Sequence, residues 1–115
     1  MSDSFSLPPD LQQALDLFRA QFAEQLPARM EEASQALAAC LAAPDDDDRL
    51  RALHRVLHRL AGSAGTFGMP EFGAACRVIE DRLEALLARH PRAHEDFDEV
   101  VGALAALPRP AAPAA

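Results

Sequence analysis

The chain has 115 residues, half of them hydrophobic, and its 18 Asp and Glu against 11 Arg and no Lys give a formal net charge of −7. That length supports one domain around a single core, and the acidic balance argues against nucleic acid as a partner of the whole chain. Six Phe, no Trp or Tyr, abundant Ala and Leu and few β-branched residues favour helix over sheet.

Asp3 and Asp10 interrupt any apolar leader, and no stretch approaches the roughly 18 uninterrupted apolar residues of a membrane span. The expectation is a soluble, cytoplasmic chain without signal peptide or membrane contact. Cys40 and Cys76 match no CxxC or zinc spacing and read as buried free thiols.

Leu11, Leu15, Phe18 and Phe22 fall at helical spacing and predict a first helix, opened by Pro8 and Pro9 with Asp10 in its first turn. Pro27 predicts a boundary or kink and suits the first turn of a second helix, whose face is Met30, Ala33, Leu37, Cys40 and Leu41 and which Pro44 ends. The acid run Asp45 to Asp48 reads as the start of a third helix, one Asp capping free N–H groups and the others complementing the dipole. In that helix Leu50, Leu53, Leu57, Leu60, Ala64 and Phe67 alternate by three and four, the clearest seam in the chain. Gly68 is placed as its left-handed stop and Pro70 as the start of a fourth helix. There Phe72, Ala75, Cys76, Ile79, Leu83 and Leu86 repeat the seam until His90 and Pro91, and Phe97, Val100, Val101, Leu104 and Leu107 mark a last helix. The expected fold is all-α: an antiparallel up-down four-helix bundle with an additional N-terminal helix, one domain over residues 1–107, then a Pro/Ala-rich disordered tail over 108–115.

Charge is unevenly spread. Between residues 49 and 70 the only formal charges are Arg49, Arg51, Arg55 and Arg59, a +4 segment in a chain whose remainder sums to −11. At about 100° per residue, His58 in this segment lies roughly 130° from the centre of the apolar stripe and faces water. Helical side chains lean toward the N-terminus, so the surface over His58 belongs to Ala61, Gly62 and Gly65. Each interior glycine costs roughly 1 kcal/mol of helix stability against alanine, and that cost leaves the imidazole open to another protein's surface. Close helix packing accounts better for Gly65 than for Gly62, which lies opposite the stripe.

If the third and fourth helices fold back about Met69, residues equidistant from it lie level. Residues 58 and 80 are both eleven positions away. Glu80 is placed to accept a hydrogen bond from His58 Nδ1–H, leaving Nε2 unprotonated and outward; the alternative is an ordinary boundary carboxylate paired with Arg77 or Arg82.

The run His58-Arg59-Leu60-Ala61-Gly62-Ser63, with Gly68 ten residues after the histidine and Ile79-Glu80 following, resembles the histidine-containing phosphotransfer (HPt) domain family, whose core motif reads H-x-L-K-G-S with a later glycine. The resemblance implies a non-enzymatic intermediate of a two-component His-Asp phosphorelay, without an ATP site or cofactor. His58 would be the phosphoacceptor, taking a phosphoryl group from an aspartyl phosphate on a response-regulator receiver domain and passing it to another receiver. Mg²⁺ would sit on that receiver, and a hybrid sensor histidine kinase is a further partner; the chain itself is expected to be a monomer. Arg51, His54, Arg55 and Arg59 would form the docking face for the receiver's carboxylates. One departure is Ala61, where the family has Lys beside the phosphoryl oxygens. By the same reflection Arg77 lies level with Ala61 and is the expected substitute, whereas Arg55 should lean away from His58.

Two rival readings remain. A degenerate module lacking the lysine would act as a helical adaptor, binding a receiver or kinase without carrying phosphate. His54 and His58, spaced i, i+4, could share a metal, but HRVLH lacks a zinc protease's glutamate and the sequence offers no third ligand nearby, so no metal is expected. His90 and His94 have the same spacing, but Pro91 between them predicts a turn.

Overall fold

The computed structural model describes residues 8–66 and 68–107. Within them are four α-helices and no strand: α1 (Pro9–Ala42), α2 (Asp47–Thr66), α3 (Pro70–Leu87), a single 3-10 turn at His94–Phe97, and α4 (Asp98–Ala105).

The first two predicted helices are one. Pro27 lies inside α1, where its missing N–H and its ring cost about 3 kcal/mol in an isolated helix. Burial outweighs that cost. Phe22, Leu26, Met30, Ala33, Leu37 and Cys40 are all buried, and their three-and-four spacing keeps its phase straight through an outward-facing proline. The expected additional N-terminal helix is therefore the first part of α1. It carries no buried residue before Phe22, and Leu11, Leu17 and Phe18 are exposed large hydrophobics.

Elsewhere the seams fold as spaced. Leu50, Leu53, Leu57, Leu60 and Ala64 of α2 and Phe72, Cys76, Ile79, Leu83 and Leu86 of α3 enter one core with Phe97, Val100, Leu104 and Leu107. Phe67, assigned to the α2 seam, lies outside the described residues, as do the predicted tail over 108–115 and residues 1–7. Val101 does not join the seam; it is exposed. Gly68 has φ 75°, and Met69 N–H donates to the Ala64 carbonyl at 2.8 Å, a left-handed cap that reverses the chain into α3.

Cross-helix contacts fix the directions. Arg59 meets Glu32 and Arg49 meets the Ala39 carbonyl, so α1 and α2 run antiparallel. The α2–α3 pair is the closer: a Cβ on Gly73 would stand 3.4 Å from both the Ala61 carbonyl oxygen and the Ala64 Cβ. Glycine at 73 lets these backbones approach. Cys40 and Cys76 are buried free thiols, and burial pushes both up to about 11.

The acid run does more than begin α2. Asp46 is the cap, accepting the backbone N–H groups of Asp48 and Arg49 at 2.9 and 3.3 Å. Asp45 and Asp47 instead hold Arg92, whose side chain is fully enclosed. Its backbone N–H donates to Asp45 at 3.0 Å and its Nη2 to Asp47 at 2.7 Å, while Nε and Nη1 donate to the Pro44, Leu86 and Arg89 carbonyls. Arg92 thus donates to carbonyls left over where α1 and α3 end. Asp47's carboxyl is held below the usual carboxylate range, chiefly by its hydrogen bond from Arg92.

Candidate functional site

The solvent face of α2 is a strip bounded by α3 on one side and α1 on the other. His58 stands on the α3 side with its side chain 74% exposed, while Glu80 beneath it is 11% exposed. Nδ1 of His58 lies 2.8 Å from Glu80 Oε2. A carboxylate only accepts, so Nδ1 carries the hydrogen and the Nε2 lone pair is free. Glu80 is therefore not paired with Arg77 or Arg82; Arg82 reaches Glu99.

Over the imidazole the surface is bare. A Cβ on Gly62 would meet nothing within 4 Å, and one on Gly65 would meet only the Arg77 guanidinium at 3.7 Å. Neither glycine is demanded by helix packing; the packing glycine is Gly73, which the sequence reading passed over. Ala61 differs from expectation. It is buried, with its carbonyl against Gly73, so its small side chain serves the α2–α3 contact rather than the opening over His58.

Arg77 also stands elsewhere than expected. Its Cα level matches Ala61, but its side chain leans toward the N-terminus of α3, and Nη2 comes to rest over Gly65. Gly65 is seven residues past His58, about 10 Å along the helix axis. Of the predicted docking residues, Arg51 and Arg55 are exposed on the strip, with Arg51 3.5 Å from Asp48. Arg59 is tied to α1 through Glu32 at 3.3 Å. His54 has turned into the α2–α3 groove, where its Nε2 lies 3.1 Å from Glu84 and 3.7 Å from Glu80, and its ring is nearly parallel to that of His58, centroids 6.3 Å apart.

Two residues escaped the sequence reading. Glu84 is as far from Met69 as His54 is, so the reflection that found Glu80 applied to it equally. Arg29 carried no such signal. It enters from α1 and, with His58, Arg59, Gly62, Ser63 and Thr66, lines a shallow groove of about 480 Å³. Its Nη2 donates to Gln25 at 3.2 Å, while its enclosed Nε has no hydrogen-bond partner. The groove therefore has a cationic wall beside an imidazole with a free lone pair, which suits a nucleophile that must meet an anionic electrophile.

Among the described residues, no helix is long and apolar enough to cross a membrane. A family model described as "Hpt domain" matches residues 17–109. No curated protein and no solved structure matches the chain.

Proposed function

Because the chain belongs to the Hpt domain family, whose members have a histidine phosphotransfer role in two-component signalling, we propose that His58 is the phosphoacceptor of a His-Asp phosphorelay. The observation that carries this reading is the pairing of an exposed imidazole with a nearly enclosed carboxylate at 2.8 Å.

The step follows from that geometry. Nε2 attacks the phosphorus of an aspartyl phosphate on a receiver, the N–P bond forms, the P–O bond to the aspartyl carboxyl breaks, and the carboxylate leaves. The ring becomes cationic as the bond forms, and its proton stays on Nδ1, donated in a hydrogen bond to Glu80, whose negative charge stabilises the imidazolium. Reversal toward a second receiver uses the same atoms. The chain supplies nucleophile and docking face, and the receiver supplies Mg²⁺; no ATP site or cofactor of its own enters the scheme.

Gly62 and Gly65 keep the approach open, and Arg51 and Arg55 offer charge to the receiver's acidic rim, with His54 and Arg59 at its edges. In place of the lysine missing at Ala61, phosphoryl oxygens meet flexible guanidinium groups: Arg77 from the Gly65 side and Arg29 from the α1 side. That missing lysine favours one second reading, an adaptor that binds a receiver or kinase without carrying phosphate.

Incubation with a panel of phosphorylated receivers tests both. Phosphotransfer predicts acid-labile, base-stable label on this chain that is lost in His58→Gln. Absence of label from every donor, with receiver binding intact in His58→Gln, overturns it in favour of the adaptor.

A further inference from the structure

His54, Glu80 and Glu84 bring three donor atoms, one imidazole nitrogen and two carboxylate oxygens, within 4.8 Å of one another. His54 Nε2 is 3.1 Å from Glu84 Oε2 and 3.7 Å from Glu80 Oε2. An ion bound tetrahedrally at 2.0–2.2 Å holds its ligands roughly 3.4 Å apart, so small side-chain adjustments suffice. The hairpin sets this spacing: Glu80 and Glu84 are successive turns of one face of α3, and His54 comes from the antiparallel α2.

Charge points the same way. Arg19, Arg49, Arg51, Arg59, Arg82, Arg89 and Arg92 each meet a carboxylate. Among the described ion pairs, Glu80 and Glu84 meet only histidines. Two neighbouring carboxylates without a fixed cation, with an imidazole between them, are a donor set for a borderline transition ion such as Zn²⁺ rather than for Mg²⁺ or Ca²⁺. Glu84 is 61% exposed and His54 24%, which gives an ion a way in and leaves a coordination position facing solvent.

We propose that His54, Glu80 and Glu84 form a binding site for a divalent transition-metal ion of the zinc class, and that the ion restrains His58 by drawing charge from Glu80. The site's existence stands on its own geometry; the restraint rests on the phosphotransfer reading. Glu80 Oε2 is the atom that accepts His58 Nδ1–H. With that oxygen on a dication, it is a poorer partner for the imidazolium that forms as Nε2 attacks.

The full chain, titrated with Zn²⁺ alone at neutral pH by calorimetry and by histidine side-chain ¹⁵N NMR, should bind one equivalent with His54 Nε2 the nitrogen that shifts. His54→Ala and Glu84→Gln, with helical circular dichroism unchanged, should each weaken binding by roughly tenfold or more. Undiminished affinity in both variants, movement of His58, His90 or His94 in place of His54, or no binding at millimolar zinc overturns the site. For the restraint, saturating zinc should slow phosphate acceptance about fivefold or more in the wild type and leave the rate of Glu84→Gln unaffected by the metal. Equal slowing of both places the metal's effect on the receiver and overturns the restraint. A wild type that takes no phosphate even without zinc refutes the phosphotransfer reading instead, and the calorimetry still decides the site.

Discussion

Replacing Glu80 by Gln removes a charge and little else, since the side chains are nearly isosteric and position 80 is almost enclosed. The amide oxygen can still accept His58 Nδ1–H, so the tautomer survives. What is lost is charge assistance to the imidazolium that develops as Nε2 attacks. A hydrogen bond to a charged group contributes about 1.5–3 kcal/mol against roughly 0.5–1.5 for a neutral one, so the 2.8 Å contact should forfeit about 1–2 kcal/mol in the transition state. That is a roughly 5- to 30-fold slower transfer. Rapid-quench measurement of label moving from a phosphorylated receiver reads the rate, and titrating the receiver separates it from docking, which should be unchanged. Glu80→Ala, which also frees the ring to rotate and lose its tautomer, should fall further. Transfer within twofold of wild type in both variants would refute the reasoning, because the enclosed carboxylate would then be a packing feature only.

Gly62→Ala should raise stability by roughly 1 kcal/mol, since a Cβ there meets nothing, whereas Gly62→Phe should keep the fold in thermal melts and slow transfer from a receiver on the order of tenfold by covering His58. Gly73→Val should lose about 1–3 kcal/mol in urea titration, because its Cβ starts 3.4 Å from the Ala61 oxygen and Ala64 Cβ. Arg92→Met should cost roughly 2–4 kcal/mol, chiefly by leaving the carbonyls of Pro44 and Arg89 and the Asp47 carboxylate without their arginine donor. Asp47 has a folded pKa depressed below its ordinary 3.8, so its contribution is present above that value and is lost as pH falls through the folded pKa; the acid limb of the stability curve should flatten in Arg92→Met, and an unaltered limb would remove Asp47 from the account.

The helical class and most of the core were legible because burial follows spacing, and spacing is a local property of the chain. Pro27 shows the limit of punctuation. Its rule is correct for an isolated helix, but the stripe from Phe22 through Leu26 to Met30 keeps its phase across it, and continuity of phase outranks a single unfavourable residue when the stripe is buried. The acid run shows another limit. That one Asp of the run caps the helix was legible, though not which one, whereas the partner that engages Asp45 and Asp47 is Arg92, 45 positions beyond Asp47, and nothing local marks an arginine for burial.

At the site, the reflection about Met69 ranks residues by Cα level, and its success depends on side-chain length. His58 with Glu80, and His54 with Glu84, are of moderate reach and meet nearly where their backbones are level. Arg77 is longer, leans toward its own N-terminus, and so reaches Gly65 instead of Ala61. A hairpin read from sequence therefore fixes short partners well and displaces long ones by about a turn toward the start of their own helix. The same lean brings Arg29, on α1, toward Gln25 and the Ser63 end of the groove. Both guanidinium groups thus rest beyond the imidazole rather than over it, near the C-terminal half of α2, and under the proposed phosphotransfer each would swing back to meet a phosphoryl group on Nε2. Charge held in reserve in this way leaves the resting histidine unblocked, as that proposal requires of a nucleophile met by a receiver domain.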